Sequence, residues 1–307
     1  MKLFKGTQIS RPAVTYSQGI VLVILAGIFW STIGLGIRMI EQANVWQILL
    51  YRSFSLATFL FVLISFRSNF RPIAVIRRSG VASVIGAAGL VMAFSGGIYA
   101  IQTTTVANAM FLFASAPFLA AALGRIILHE RVGKITIICI FIALVGITVM
   151  VMQGFSAGHG IGNVCALLSA LGFAAFSIAL RWGKLEDMLP SVFLAGIFAM
   201  MVAASVCYLK TYSFTVPARD MTIALSMGVF QVGAGLAVYT IGSKVVPAAE
   251  LTLLSMTEVL LGPLWVWLFL GETVSTSILI GGLILLFAIA GNAIVGIRDH
   301  QYHSARL

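Results

Sequence analysis

Ten apolar runs, each about 20 residues long, fill almost the whole chain. A helix rises about 1.5 Å per residue, so a run of that length can cross the roughly 30 Å hydrocarbon core of a bilayer. The connections are too short to hold a soluble domain, and the pattern predicts an all-α integral membrane protein with ten transmembrane helices. The runs lie near residues 18–38, 46–66, 80–101, 105–128, 134–153, 161–181, 190–209, 221–242, 247–270 and 276–297.

Charge placement predicts how these helices are oriented. Only 9% of the residues are charged, and the mean hydropathy of +1.07 lies outside the range of soluble proteins. If the N-terminus is cytoplasmic, 15 of the 19 Lys and Arg residues fall on the cytoplasmic side. This is the positive-inside pattern, and it predicts that both termini are cytoplasmic. The remaining four are Arg38, Lys210 and Arg219 on the opposite side and Arg52 within a run.

Other function classes find little support in the sequence. The net charge of +10 is explained by loop charges, and no basic stripe indicates a nucleic-acid partner. The three cysteines lie in different apolar runs without metal-ligand spacing, so we expect small core side chains, no metal and no cofactor. The histidines all fall in loops or in the tail, and neither HExxH nor GxSxG occurs. An intramembrane enzyme is therefore disfavoured.

The chain carries landmarks of an internal duplication. Arg38 and Arg181 each end an apolar run and are 143 residues apart, while Glu130 and Glu272 each follow a run and are 142 residues apart. Because each half contains five spans, the second half enters the membrane from the opposite side, as in many transporters. The halves are therefore two inverted five-helix repeats. We assign residues 18–153 and 161–297 to the repeats, 1–17 to a cytoplasmic N-terminal segment and 298–307 to a cytoplasmic tail.

The landmark motifs, in their order and spacing, resemble those of the drug/metabolite transporter superfamily, specifically the EamA-like ten-helix family. The motifs are Phe29-Trp30-Ser31-Thr32, Tyr51-Arg52-Ser53, Ala100 to Thr104, Ala107-Asn108-Ala109, Pro117, Glu130-Arg131, Val246-Pro247-Ala248-Ala249-Glu250 and Leu270-Gly271-Glu272. The resemblance implies a bacterial inner-membrane carrier of small metabolites. Family members mostly export amino acids and related compounds, and some import vitamins or nucleoside-like compounds.

Two charged residues inside the runs are the first candidates for function, because a charge within a bilayer is costly. Glu258 lies near mid-membrane, where a desolvated carboxyl suits proton coupling or capture of a substrate amine. Equally, it could tie two helices together through a hydrogen bond. Arg52 could bind a substrate carboxylate as a bidentate fork. Alternatively, it could extend to the membrane interface or pair with Glu41.

Further candidates are polar or aromatic. Asn108 occupies the position equivalent to Glu250, so it either lines a shared cavity or joins helices by a hydrogen bond. Trp30 is too deep for an interfacial belt and suits an aromatic cavity wall, whereas Tyr99 and Tyr239 also fit such a belt. The remaining predicted substrate-binding residues are Gln231 and Trp265.

Glycines and helix-end acids receive mainly structural roles. Gly96, Gly97, Gly233 and Gly235 lie in matched spans three and eight and are predicted hinges. Glu250, in a first turn after Pro247, fits ordinary helix N-terminal chemistry as well as a functional role. We expect Glu130 and Glu272 to cap the next helix or to pair with a nearby base.

The leading hypothesis is a secondary carrier, because no Gly-x4-Gly-Lys-Ser/Thr loop indicates nucleotide hydrolysis. A channel or a lipid flippase is the alternative. We expect a central cavity between spans one to four and six to nine. The partners would be the small-molecule substrate and membrane lipid, with spans five and ten peripheral and available for a homodimer contact.

Overall fold

The computed structural model describes residues 14–130, 132–156, 160–184, 187–246 and 248–304. The N-terminal segment, apart from its last few residues, and Pro247 lie outside the described residues, as does the side chain of Glu250. The first repeat contains spans 1 to 5, which run over Tyr16–Arg38, Val45–Arg67, Gly80–Thr103, Val106–Ile127 and Lys134–Ser156. The second repeat contains spans 6 to 10, which run over Gly160–Trp182, Leu189–Leu209, Ala218–Gly242, Ala248–Leu270 and Thr276–Ser304.

Nine of the described helices are long and apolar enough to cross a membrane, and the apolar segment Met256–Leu270 of span 9 is shorter by that measure. The described residues contain no strand. The prediction of an all-α membrane protein with ten helices is therefore confirmed. Span 10 continues to Ser304, past the predicted end of the apolar run.

Side-chain caps explain where several spans begin. The side chain of Asn44 accepts hydrogen bonds from the backbone N–H groups of Trp46 and Gln47, and the Gln47 side chain accepts the N–H of Asn44 in return. Thr15 and Gln18 form the same reciprocal arrangement at the start of span 1. These caps satisfy backbone donors that the first helical turn leaves unpaired.

Three spans are interrupted, although the sequence pattern predicted continuous helices. Span 1 consists of two helical segments, Tyr16–Ser31 and Ile33–Arg38, which are separated at Thr32. Span 4 consists of Val106–Phe113 and Ala116–Ile127, and Pro117 begins the second part because a helix start tolerates its missing N–H. Span 8 contains a π-helix over Met227–Ala234, flanked by Ala218–Ser226 and Gly235–Gly242. A short separate helix, Pro72–Arg78, follows span 2.

The two repeats meet through glycine crossings. A Cβ on Gly89 of span 3 would lie 2.7 Å from the carbonyl oxygen of Gly172 in span 6, which no side chain would tolerate. Spans 1 and 8 form the equivalent crossing, where a Cβ on Gly242 would lie 2.7 Å from the carbonyl oxygen of Gly19. Spans 5 and 10 cross in the same way at Gly146 and Gly281. Small residues thus allow backbone contact between helices.

A second pair of contacts follows the same pseudo-two-fold relation. A Cβ on Gly19 would lie 3.1 Å from a methyl group of Val246, and a Cβ on Gly162 would lie 3.1 Å from Cβ of Thr104. Gly162 is 143 residues after Gly19, and Val246 is 142 residues after Thr104. Each half therefore contributes the same contact surface in the opposite sense, as two inverted repeats require.

Candidate functional site

Spans 1 and 8 bring together two of the predicted aromatic residues. The rings of Trp30 and Tyr239 are tilted against each other with centroids 5.2 Å apart. Gly235 lies beside the indole, and a Cβ there would lie 2.5 Å from Nε1 of Trp30. Glycine at this position therefore leaves the room that the indole occupies. Both aromatic side chains are only half-buried, so part of each ring is left uncovered.

Span 9 contributes Trp265, which contacts the residue directly after Trp30 on span 1. Its Nε1 donates a hydrogen bond of 2.8 Å to the hydroxyl oxygen of Ser31, whose own hydroxyl donates to the carbonyl of Ile28 at 2.7 Å. Ser31 is fully buried, so this link holds the indole in one orientation. Trp265 thereby joins the two repeats, and its acceptor Ser31 is the residue directly after Trp30.

Glu258 also lies on span 9 and is the eleventh of the 23 residues of Ala248–Leu270. Gly27 of span 1 makes room for the span 9 backbone here, since its Cβ would lie 3.6 Å from the amide nitrogen of Glu258. The carboxylate is half-buried and has no hydrogen-bond or ion-pair partner in the described part of the chain. The described contacts thus include no hydrogen bond by which Glu258 would tie helices together.

Arg52 lies on span 2 and is only 4% exposed. Its guanidinium carbon is 5.0 Å from the centre of the Phe94 ring on span 3. The pairing with Glu41 that the sequence allowed is wrong, because Glu41 instead pairs with Arg219. Extension to the membrane interface is also contradicted, since Nε is buried without a hydrogen-bond acceptor.

The described contacts of Arg52 do not offset the cost of burying its charge. Removing an ion from water costs several kcal/mol even after relaxation of the surroundings. A cation–π contact such as that with Phe94 returns about 0.5–2 kcal/mol, which is too little to offset that cost. Arg52 forms no ion pair with any described carboxylate. Within the described part of the chain, the guanidinium of Arg52 therefore has no counter-ion.

The π-helix of span 8 packs directly against the backbone of Arg52. A Cβ on Gly228 would collide with the carbonyl oxygen of Arg52 and with the hydroxyl of Ser55. Gln231, in the same π-helix, is 5% exposed and has a buried side-chain oxygen without a donor. Such π-helical turns occur frequently at functional sites. The geometry thus leaves an unused acceptor on Gln231 for a ligand or a water molecule.

Asn108 of span 4 and Asn163 of span 6 form a fully buried polar pair between the repeats. The Asn108 side-chain nitrogen donates to Oδ1 of Asn163 and, at 3.0 Å, to the hydroxyl of Thr104. Both amides keep one unpaired atom, Oδ1 of Asn108 and Nδ2 of Asn163. This contact favours the helix-joining role that was one of two alternatives for Asn108.

The positions of Tyr99 and of the four predicted hinge glycines say less about their roles. Tyr99 is half-buried and packs against the main hydrophobic core, and no described ring contact or side-chain hydrogen bond links it to the residues above. Gly96 packs against the span 6 backbone, where a Cβ would lie 2.8 Å from the carbonyl oxygen of Cys165. Gly97 lies against Ser169 and Phe113. The hinge role of these glycines stays a prediction. In span 8, Gly233 lies inside the π-helix and Gly235 directly follows it.

The helix-end acids form ion pairs, as predicted. Glu272 pairs with Arg38, and Glu130 pairs with Arg181. Sequence reasoning missed a third acid, Asp220, which is 2% exposed at the start of span 8. Its carboxylate accepts the backbone N–H groups of residues 41 to 43 at 2.8–3.2 Å and so fastens the loop between spans 1 and 2.

Sequence reasoning also missed three residues that contact the predicted site residues, because the sequence around each of them carries only a weak signal. Phe94 is one of 21 phenylalanines, and nothing in its neighbourhood in the sequence indicates a cation. Ser31 was recognised as part of a motif but not as the acceptor for Trp265. Asn163 could have been found, because it is an amide near the start of an apolar run, directly after the landmark Gly162.

Comparisons with known proteins agree with this architecture. The model of the EamA-like transporter family matches residues 17–152 and 160–294, one match for each half. An uncharacterized transporter of Clostridium kluyveri is 23% identical over 208 residues, which cover 64% of this chain and 65% of that protein. A protein of known crystal structure superposes with a TM-score of 0.65 at 17% identity, over 90% of this chain and 98% of its own, which supports the fold alone.

Proposed function

Because the chain belongs to the EamA-like transporter family, we propose that it is a secondary-active carrier that exports amino acids or related small metabolites by alternating access. The family membership makes the chain a membrane transporter of the drug/metabolite type. The observation that carries the finer proposal is the buried guanidinium of Arg52, which pairs with no carboxylate of the described residues. A substrate carboxylate would satisfy it with charge-assisted hydrogen bonds.

Glu258 supplies the second charge of the proposed site. In an amino-acid carrier, a half-buried carboxylate that pairs with no described side chain can hold either the substrate ammonium group or the proton that drives transport. The aromatic faces of Trp30 and Tyr239 offer apolar contact for the rest of a small solute. These side chains come from spans 1, 2, 8 and 9, which belong to both repeats. A site built from both repeats is what alternating access needs.

Transport by gradient rather than by nucleotide hydrolysis is also part of the proposal. We place the carrier in a bacterial inner membrane with both termini in the cytoplasm, on the strength of its family and of its loop charges. An importer of a vitamin or of a nucleoside-like compound, a channel and a lipid flippase are the alternatives. Neither a resident cofactor nor enzymatic activity forms part of the proposal.

A ligand screen followed by an exchange assay tests the substrate class. Purified protein is screened by thermal shift against amino acids, nucleosides and vitamins, because a ligand that binds only the folded state raises the apparent stability. We expect stabilising compounds to carry a free carboxylate and their methyl esters to have no effect. In proteoliposomes, a radiolabelled hit should show counterflow, which a channel does not support.

The Arg52→Gln variant tests the residue that carries the proposal. Loss of a charge-assisted contact of about 1.5–3 kcal/mol should weaken binding of the carboxylate ligand roughly 10- to 100-fold. Arg67→Gln is the matched control, since Arg67 ends the same span and is exposed. Unchanged affinity in Arg52→Gln, with a neutral nucleoside as the sole stabilising ligand, would refute the amino-acid assignment and favour the nucleoside-like alternative.

A further inference from the structure

Two ion pairs join the repeats at equivalent positions. Nε of Arg38 lies 2.9 Å from Oε2 of Glu272, and Arg181 pairs with Glu130 in the same way. Each arginine ends the first span of one repeat, and each glutamate follows the fourth span of the other repeat. The arginines are 143 residues apart and the glutamates 142 residues apart. The two ion pairs are therefore counterparts under the pseudo-two-fold relation of the repeats.

The two pairs lie on opposite faces of the membrane. Successive spans cross in alternate directions, so the ends of span 1 and span 9 share one face, and those of span 4 and span 6 share the other. We name these the Arg38 face and the Arg181 face. The contact of each arginine with its glutamate agrees with this assignment, because each pair is formed within one face.

The surroundings of the two pairs are unequal. The side chains of Arg38 and Glu272 are 28% and 19% exposed, against 52% and 38% for Arg181 and Glu130. Glu272 also accepts the backbone N–H of Val106 at 2.6 Å, and Arg38 donates to the carbonyl of Thr104 at 2.7 Å. The pair on the Arg38 face is therefore fastened to the connection between spans 3 and 4 and is the more tightly held of the two.

We propose that these ion pairs are the two gates of the transport cycle, and that each breaks when its own face opens while the other stays formed. The proposal rests on the proposed function, because it requires alternating access. Partly hydrated ion pairs suit this role, since water entering an opened face can solvate both charges at small cost. Both pairs are formed in this structure, as expected of a state that is closed at both faces.

The proposal predicts opposite effects for two matched substitutions. In a chain whose three cysteines are replaced by alanine, Gln231→Cys gives a buried reporter in the middle of span 8. A membrane-impermeant maleimide is added to the Arg38 face or to the Arg181 face of oriented vesicles. Glu272→Gln should raise labelling from the Arg38 face and lower it from the Arg181 face. Glu130→Gln should do the reverse.

The size of the change in labelling rate follows from how far each substitution shifts the populations of the two open states. Neutralising one gate should change the labelling rate about fivefold, and the effect of Glu272→Gln should be the larger because its pair is less exposed. Glu41→Gln is the control, since it removes an exposed ion pair with Arg219 that has no counterpart among the described pairs. It should leave both labelling rates unchanged.

Other outcomes overturn the proposal in distinguishable ways. If either substitution raises labelling from both faces, the pair supports the fold and is not a gate. Unchanged labelling in both variants would show that the faces open without breaking these pairs. The assay contains no substrate, so it gives its answer even where the amino-acid assignment fails. A failure of the gates would likewise leave the ligand screen unaffected.

Discussion

A single side chain, Arg52, carries most of the argument for the proposed binding site. It lies on span 2, buried against spans 3 and 8, and its guanidinium lies over the ring of Phe94. No described carboxylate offsets the cost of burying this charge, which makes Arg52 a candidate for function. Glu258 is the acidic counterpart, half-buried in the middle of span 9 without a described partner.

Replacement of Glu258 tests its coupling role at the same scale. Glu258→Gln keeps the size and polarity of the side chain but cannot take up and release a proton. We expect gradient-driven accumulation to be lost while exchange of substrate between the two sides of the membrane is largely kept. Measuring both activities in the same proteoliposomes checks this. Equal and mild losses of both would instead make Glu258 a packing residue.

At the scale of helices, sequence patterns predicted the ten spans but not their interruptions. Apolar periodicity and loop charges identify where a chain enters and leaves the bilayer, because those signals are averaged over about 20 residues. The π-helix of span 8 packs against Arg52 and Ser55, which come from another span, and no pattern within span 8 itself indicates this contact. Likewise, the sequence indicated Asn108 but not its partner Asn163, since only the folded repeats bring them together.

The close approach at Gly228 gives an element-scale prediction. Gly228→Ala places a methyl group against the backbone of span 2, where the carbonyl oxygen of Arg52 and the amide nitrogen of Leu56 are main-chain atoms that no rotamer change can move away. We expect a loss of about 1–3 kcal/mol in stability, the usual cost of overpacking, seen as a lower unfolding temperature in detergent. Gly291→Ala is the control, because its Cβ would have only Sγ of Cys139 at 3.9 Å. Equal unfolding temperatures for the two variants would contradict the observed packing of the π-helix.

At the scale of the whole molecule, the arrangement of contacts expresses the inverted duplication. Span 1 packs on spans 8 and 9 of the other repeat, and span 6 packs on spans 3 and 4. Span 5 is the least buried of the candidate spans, with 22% of its apolar window inside the structure, so its peripheral placement fits the prediction. A homodimer contact through spans 5 and 10 stays a prediction, as does the direction of transport.

Orientation in the membrane is the prediction that belongs to this scale. A reporter active only in the cytoplasm, fused after Leu307, should be active, because the loop charges place both termini on the cytoplasmic side. A second fusion in the connection after span 7, at Lys210, should be inactive, since that connection faces the opposite side. Activity of the Lys210 fusion together with silence of the Leu307 fusion would invert the assigned topology.

The glycine crossings between the repeats bear on how such a tightly packed molecule can move. Where Gly89 meets Gly172 and Gly19 meets Gly242, the main chain of one helix lies directly against the main chain of the other, with only a few flanking side chains beside the contact. A change of crossing angle at such a contact displaces fewer side chains than it would between helices joined by interlocked leucines. If the proposed alternating access holds, these glycine contacts are where we expect the repeats to tilt against each other with the least repacking.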